Sequence, residues 1–221
     1  MGSLSAASVL SCIVCADASV QHFTTVAGRD YWRCEQCGAT FLDPAQRLTP
    51  DEELARYRRH QNDPEDAGYR AHLARLVEPL LTKLPPGAQG LDYGCGPGPA
   101  LAQMLTAAGH SVALYDMFFY PERDNLERQY DFIACSETAE HFHDPAAEFA
   151  RFDGLLRPGG VLAILTAFPP AEDSFANWHY RRDPTHVVFY GPETFEYLAG
   201  CFGWTCEIVS PGVVLMGKAR A

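Results

Sequence analysis

No run of apolar residues approaches the roughly 18 that a membrane-crossing helix needs. The opening stretch MGSLSAASVLSCIVC carries no basic residue ahead of its apolar part, as a secretory signal would. Both absences point to a soluble protein that stays in the cytoplasm. Positive charge is scarce too: 17 Lys and Arg stand against 28 Asp and Glu, a net charge of −11. Such a surface repels phosphate backbones, which argues against a nucleic-acid partner. The nearest basic clusters are Arg56, Arg58 and Arg59, then Arg181 and Arg182. Asp51, Glu52, Glu53 and Asp183 flank them, so they read as solvated surface. The eight cysteines form no disulfide framework, and Cys95, Cys135, Cys201 and Cys206 are scattered through apolar segments.

The other four cysteines are regular. Cys12-x2-Cys15 and Cys34-x2-Cys37 are two knuckles with eighteen residues between them. Two such knuckles place four thiolates about 2.3 Å from a central metal, which suits a closed structural zinc site. A redox pair would need only one C-x-x-C, and merely buried thiols would not fall twice at one spacing. The segment VQHFTTVAGRDYWR between them reads as strand, Ala27-Gly28 turn, strand, and Gly38 permits the tight turn after the second knuckle. A zinc ribbon over residues 1–46 follows. It props up a fold rather than performing chemistry, because four cysteines leave no position at which water could be activated.

Residues 47–86 read as a helical linker or lid. Thr49-Pro50-Asp51-Glu52 is a helix start, and that helix should run to about His60 before Asn62-Asp63-Pro64 breaks it. A second helix opens at Glu65 or Asp66, with Leu73, Leu76, Val77, Leu80, Leu81 and Leu84 at helical spacing, and ends at Pro85-Pro86-Gly87. Pro79 predicts a kink or a boundary.

From residue 87 the pattern alternates strand and helix. In QGLDYGCGPG a short strand ends at Asp92, Gly94, Gly96 and Gly98 let the backbone turn close to a ligand, and Pro99 begins a helix closed by Gly109. The next strand, Ser111 to Tyr115, ends at Asp116, where a carboxylate can accept both ribose hydroxyls of an adenosine cofactor. A nicotinamide dehydrogenase shares this logic, but Pro99 stands where the third glycine of its G-x-G-x-x-G loop would fall.

The D-Y-G-C-G-P-G loop resembles the first motif of class I S-adenosylmethionine-dependent methyltransferases of the type 11/12 kind. YDFIACSETAE followed by His141 is similar to that family's fourth strand and the loop after it, and LLRPGGVLAILT to its fifth strand, with Pro158-Gly159-Gly160 as the turn and Val161 to Leu165 as the strand. A helix from about Pro192 to Cys201 and strands 204–209 and 213–219 match its antiparallel ending. The resemblance implies an α/β, Rossmann-like doubly wound sheet, mostly parallel, with an antiparallel C-terminal strand. It implies S-adenosylmethionine held by Asp92, Tyr93, Gly94, Cys95, Gly96, Gly98, Asp116, Met117, Ser136 and Glu137. One departure stands out: fourteen residues separate Asp116 from Asp131, too few for a helix and third strand. The third strand is therefore short or missing, and Phe118, Phe119 or Ser136 supplies the adenine wall.

Methyl transfer from a sulfonium needs positioning, plus a base where the acceptor must lose a proton. Candidates gather in two loops: Glu137, Glu140, His141 and His143, then Trp178, His179, Tyr180, Arg182, Asp183 and His186. His141, His179 and His186 are the catalytic candidates, with Asp183 orienting His186 or His179. A second metal among His141, His143, His179 and His186 lacks the helical i, i+4 spacing such sites often show. The acceptor is expected to be a small polar metabolite. An RNA methyltransferase with an N-terminal zinc finger, or a non-catalytic scaffold protein, are the alternatives.

Overall fold

The computed structural model describes residues 10–59 and 63–220. β1 (Val20–Val26) and β2 (Arg29–Cys34) form the expected hairpin. Its turn residues Ala27 and Gly28 both have positive φ (52° and 77°), the mirror-image turn whose twist matches a hairpin. β3 (Thr40–Leu42) pairs with β2. α1 (Pro50–Tyr57) starts at a capping box, Thr49 bonding Glu52 N–H while the Glu52 carboxylate accepts from Thr49 N–H. It stops at Tyr57, short of the expected end at His60, which lies outside the described residues. α2 (Ala67–Leu81), capped by Asp66, carries Pro79 in its last turn and ends before Pro85. Pro79 has no N–H to give the preceding turn, and the chain leaves the helix within a few residues of it.

The main sheet contains β4 (Gln89–Tyr93), β5 (Ser111–Tyr115), β6 (Tyr130–Ser136), β7 (Leu156–Leu165), β9 (Thr205–Ser210) and β10 (Val213–Gly217). Their spatial order is β5-β4-β6-β7-β10-β9. β5, β4, β6 and β7 run parallel, and β10 is antiparallel to both β7 and β9. α3 (Ala100–Ala107), α4 (Pro145–Leu155), the short α5 (Glu172–Phe175) and α6 (Pro192–Phe202) connect them. Between Asp116 and Tyr130 the described chain makes a single bridge, Asp116 with Tyr120, and one 3-10 turn, Arg123–Leu126. The third strand is missing, and β5 is the sheet's edge.

β7 corrects one expectation. It begins at Leu156, opposite Tyr130, and Pro158-Gly159-Gly160 forms an outward step inside the strand, where the register jumps to Phe132 opposite Val161. Gly159 takes φ 78° in that step. The hydrogen bonds resume on both sides of it, so the glycines make a bulge rather than a separate turn.

Alternation along β7 divides the core. Ala163 and Leu165 face Leu73, Leu76, Leu80, Leu101 and Leu105 of α2 and α3. Leu162 and Ile164 face Phe149, Phe152, Phe195 and Leu198 of α4 and α6. The ribbon's Cys12, Val14, Cys34, Cys37 and Phe41 join this second cluster. β8 (Val188–Phe189) pairs with β3, completing a sheet ordered β1-β2-β3-β8. The ribbon thus adds a strand to the loop carrying His186. No helix among the described residues is long and apolar enough to cross a membrane.

Candidate active site

The glycine loop begins where β4 ends. Pro99 stands at the N-cap of α3 and has no side-chain oxygen to cap it; Asp92, near the end of β4, accepts the Ala102 N–H instead at 3.2 Å. Burial pushes the Asp92 carboxyl up to about 7. The folded chain therefore holds a proton there that the unfolded chain releases near pH 4, and this contribution to stability is lost as pH rises from about 4 through about 7. Its full size is about 4 kcal/mol at most. Denaturant melts of the ligand-free protein at pH 5 and pH 8 should show the wild type losing more stability than Asp92→Asn. Parallel losses would sink this assignment.

Gly94 sits at φ 78°, and a Cβ there would lie 2.2 Å from Thr138 Cγ2, so both backbone and space require glycine. Gly94 and Cys95 N–H groups bond the Tyr115 carbonyl. Asp116 closes the loop: Oδ2 accepts from Gly96 N–H at 3.0 Å, and Oδ1 from Phe118 and Phe119 N–H at 2.8 and 3.0 Å. Ser136 at the end of β6 has a buried hydroxyl with no partner. Met117 is exposed beside this cradle, whereas the Cys95 thiol is buried. The Tyr93 side chain is turned into the core against Phe142 and Phe152, its hydroxyl bonded by Glu148 and Arg151. Only its backbone belongs to the loop.

Glu137 follows with φ 49°, a strained value for a residue with a side chain, of the kind that collects at functional sites. Its carboxylate meets His72 Nε2 at 3.0 Å and the Tyr180 hydroxyl at 2.9 Å. Burial alone would raise it, but these two hydrogen bonds hold it below the usual carboxylate range. Glu140, wholly buried, has Oε1 2.5 Å from the same Tyr180 hydroxyl, whose one proton lies between the two carboxyl groups, and accepts from the Thr166 hydroxyl on Oε2 at 2.9 Å. Burial, then the Glu137 charge, push it up to about 8.

His141 and His186 stand beside Glu140, with ring centroids 4.8 Å apart. His141 Nδ1 lies 2.9 Å from the Thr185 carbonyl and His186 Nδ1 2.7 Å from the Tyr180 carbonyl. A carbonyl oxygen can only accept, so each Nδ1 carries a proton. Burial and the neighbouring His141 push His186 down to about 4, so it is neutral near pH 7.

Three of the expected candidates stand elsewhere. Asp183 orients neither histidine; it binds Arg56 through both oxygens (2.9 and 3.0 Å) and the Thr185 hydroxyl at 2.7 Å. Backbone carbonyls do the orienting instead. His179 is exposed, and His143 is taken by Glu53 of α1 at 2.8 Å. The basic clusters also depart from expectation. Arg56 joins α1 to the Asp183 loop, and Arg181 is buried near the Tyr31 ring, donating to the Ala176 carbonyl. The linker's share of the site had no local signal: His72 meets Glu137, and Tyr57 packs edge-on to His141 and against Phe118.

In the ribbon, Cys12 and Cys37 sulfurs are 3.6 Å apart, Cys15 and Cys34 sulfurs 3.5 Å, and all four lie within 4.8 Å of one another. Four sulfurs around a tetrahedral zinc stand about 3.8 Å apart, so the set fits.

The profile of the methyltransferase domain family matches residues 39–208, well over half of the chain. The chain belongs to this family. The match begins beside β3, the strand that joins the ribbon to the methyltransferase domain. Magnesium protoporphyrin IX methyltransferase from Synechocystis PCC 6803, solved with bound SAM, is similar in fold: TM-score 0.50 at 16% identity, over 76% of this chain and 91% of that one. The CurJ carbon methyltransferase gives 0.49 at 15%, over 80% of this chain and 61% of that one. The biotin biosynthesis bifunctional protein BioCD of Bordetella avium (strain 197N) is 46% identical over 54 residues, 24% of this chain but 11% of that relative.

Proposed function

We propose that this methyltransferase uses S-adenosylmethionine to methylate a small polar acceptor. The carrying observation is the juxtaposition of an acid-closed glycine loop, Gly94 to Asp116, with the buried Glu140 and His186 and the partly buried His141 one strand further along the sheet. The Gly94 turn, the Asp116 carboxylate and the unpartnered Ser136 hydroxyl fit an adenosine-bearing ligand, with Gly96, Gly98, Met117 and Glu137 around it. Asp92 and Tyr93 support that loop from below, and Cys95 through its backbone. When bound, the cofactor supplies an electrophilic methyl. The chain's own residues hold the acceptor in line with it, which is most of what this displacement requires.

His141 and His186 are the acceptor-side groups, each with Nδ1 fixed by a carbonyl. α1 and α2 lie over the mouth through Tyr57, Arg56 and His72, as a lid on a small acceptor would. Cys12, Cys15, Cys34 and Cys37 would hold a structural zinc, and reduced thiols suit the cytoplasm. The net charge of −11 weighs against an RNA acceptor. Calorimetry should give micromolar binding of S-adenosylmethionine and no comparable binding of NADH. Preference for the nicotinamide would overturn the reading.

A further inference from the structure

Glu140, His141 and His186 converge more tightly than acceptor binding alone requires. One ligand atom from each lies within 4.8 Å of the other two, and Glu140 Oε1 is 3.8 Å from His141 Nε2. Two imidazoles and one carboxylate around an ion at about 2.1 Å stand about 3.0 to 3.4 Å apart, so closure needs small side-chain shifts only. The surroundings are those of ligands. Both histidines give their Nδ1–H to a backbone carbonyl, Thr185 for His141 and Tyr180 for His186, which fixes each ring's orientation and leaves Nε2 as the atom that would face an ion. Glu140 is fixed by Thr166 on Oε2 and by Tyr180 on Oε1. Two chain segments, the 139–141 turn and the loop before β8, thus hold three donors around one point, each donor oriented by a partner behind it.

We propose that Glu140, His141 and His186 bind one divalent first-row transition ion, separate from the ribbon zinc, with its remaining positions turned toward the acceptor. Imidazole with carboxylate favours manganese, iron, cobalt, nickel or zinc over magnesium or calcium, whose sites are built of oxygen. The ribbon's four sulfurs select differently, so the two sites are distinguishable by ligand type. Three protein donors leave the ion coordinatively open, and an acceptor oxygen is the ligand that would complete it. This last point rests on the methyltransferase reading above; the ion site itself does not.

The test uses the full chain with one zinc per molecule confirmed by metal analysis. Mn2+ is titrated by paramagnetic resonance of the free ion, and Co2+ by absorption. One further ion per chain should bind at micromolar concentration, and the Co2+ spectrum should lack the thiolate charge-transfer bands that a ribbon site would give. His186→Ala and Glu140→Gln should each weaken this binding at least about 100-fold, because loss of an outer partner alone costs 10 to 100-fold. Ribbon zinc should stay at one per chain. His186→Gln and His141→Gln replace any variant that does not fold, judged by circular dichroism. The proposal is overturned if neither ion binds beyond the ribbon zinc up to millimolar concentration, or if binding is unchanged in folded variants. S-adenosylmethionine calorimetry on the same samples separates the two readings: ion binding without cofactor binding would condemn the proposed function and leave the ion site standing, and the reverse result the opposite.

Discussion

Replacing Asp116 by alanine is expected to weaken S-adenosylmethionine binding at least about 100-fold, since hydrogen bonds to a charged group contribute about 1.5–3 kcal/mol each and two ribose hydroxyls would lose theirs. The carboxylate also has a second task in the ligand-free protein. It offers about four lone-pair sites, and three are taken by the amides of Gly96, Phe118 and Phe119. A diol cannot bond it twice without displacing at least one amide. Asp116 is therefore both the clasp that shapes the empty loop and the group that must partly let go when ligand arrives. Asp116→Asn, which keeps one acceptor oxygen but no charge, should fall between the wild type and Asp116→Ala in calorimetry. Zinc content and circular dichroism should match the wild type, since β5 is an edge strand remote from the ribbon. Affinity within about five-fold of wild type for Asp116→Ala would remove this residue from the cofactor site.

The features legible in the sequence are those written within a few residues of one another. The knuckles, the Ala27-Gly28 hairpin, the glycine loop and the acids at the ends of β4 and β5 depend on local backbone geometry, which residue type reports directly. The short span from Asp116 to Asp131 likewise announced a missing strand by length alone. What the sequence hid is long-range. Nothing near Thr40 says that it will pair with Phe189, and nothing in α1 says that Arg56 will bind Asp183 rather than water. Arg181 was hidden for a related reason. Its neighbours are polar, and burial of its guanidinium depends on the Ala176 carbonyl and on Tyr31, which approaches from the ribbon.

The histidines show the limit most clearly. Four of them in two loops could be named, but their grouping could not, because spacing along a loop does not give position in space. The fold selects His141 and His186, adds Glu140, and sends His143 to Glu53 and His179 to the surface. The role expected of Asp183 passed to two backbone carbonyls, which leave no trace in residue type.

Cys34→Ser is expected to loosen the acceptor side of the site while leaving cofactor binding largely intact. Structural zinc contributes about 10–16 kcal/mol of binding free energy in small Cys and His modules, so losing one of four thiolates should unfold the ribbon locally. The damage has a defined path. Cys34 ends β2 and its N–H bonds the Ala39 carbonyl; Thr40 and Phe41 pair with Phe189 and Val188; Leu42 N–H bonds the Val187 carbonyl; and Val187 N–H bonds the Glu140 carbonyl at 2.8 Å. Each step is a backbone hydrogen bond, and the path ends between His186 and Glu140. The cofactor loop hangs on β4 and β5, two strands that take no part in this chain of bonds. Hydrogen exchange should therefore show residues 185–190 losing protection along with the ribbon, in a sample whose metal analysis shows the zinc gone. Affinity for S-adenosylmethionine should change by less than about ten-fold, or 1.4 kcal/mol. Once an acceptor is in hand, turnover should drop by about 10² or more, because small displacements at the reacting centre cost that much. Unchanged protection at 185–190 after zinc loss would make the ribbon an independent module, and equal loss of cofactor binding would make it a support of the whole fold rather than of the acceptor loop.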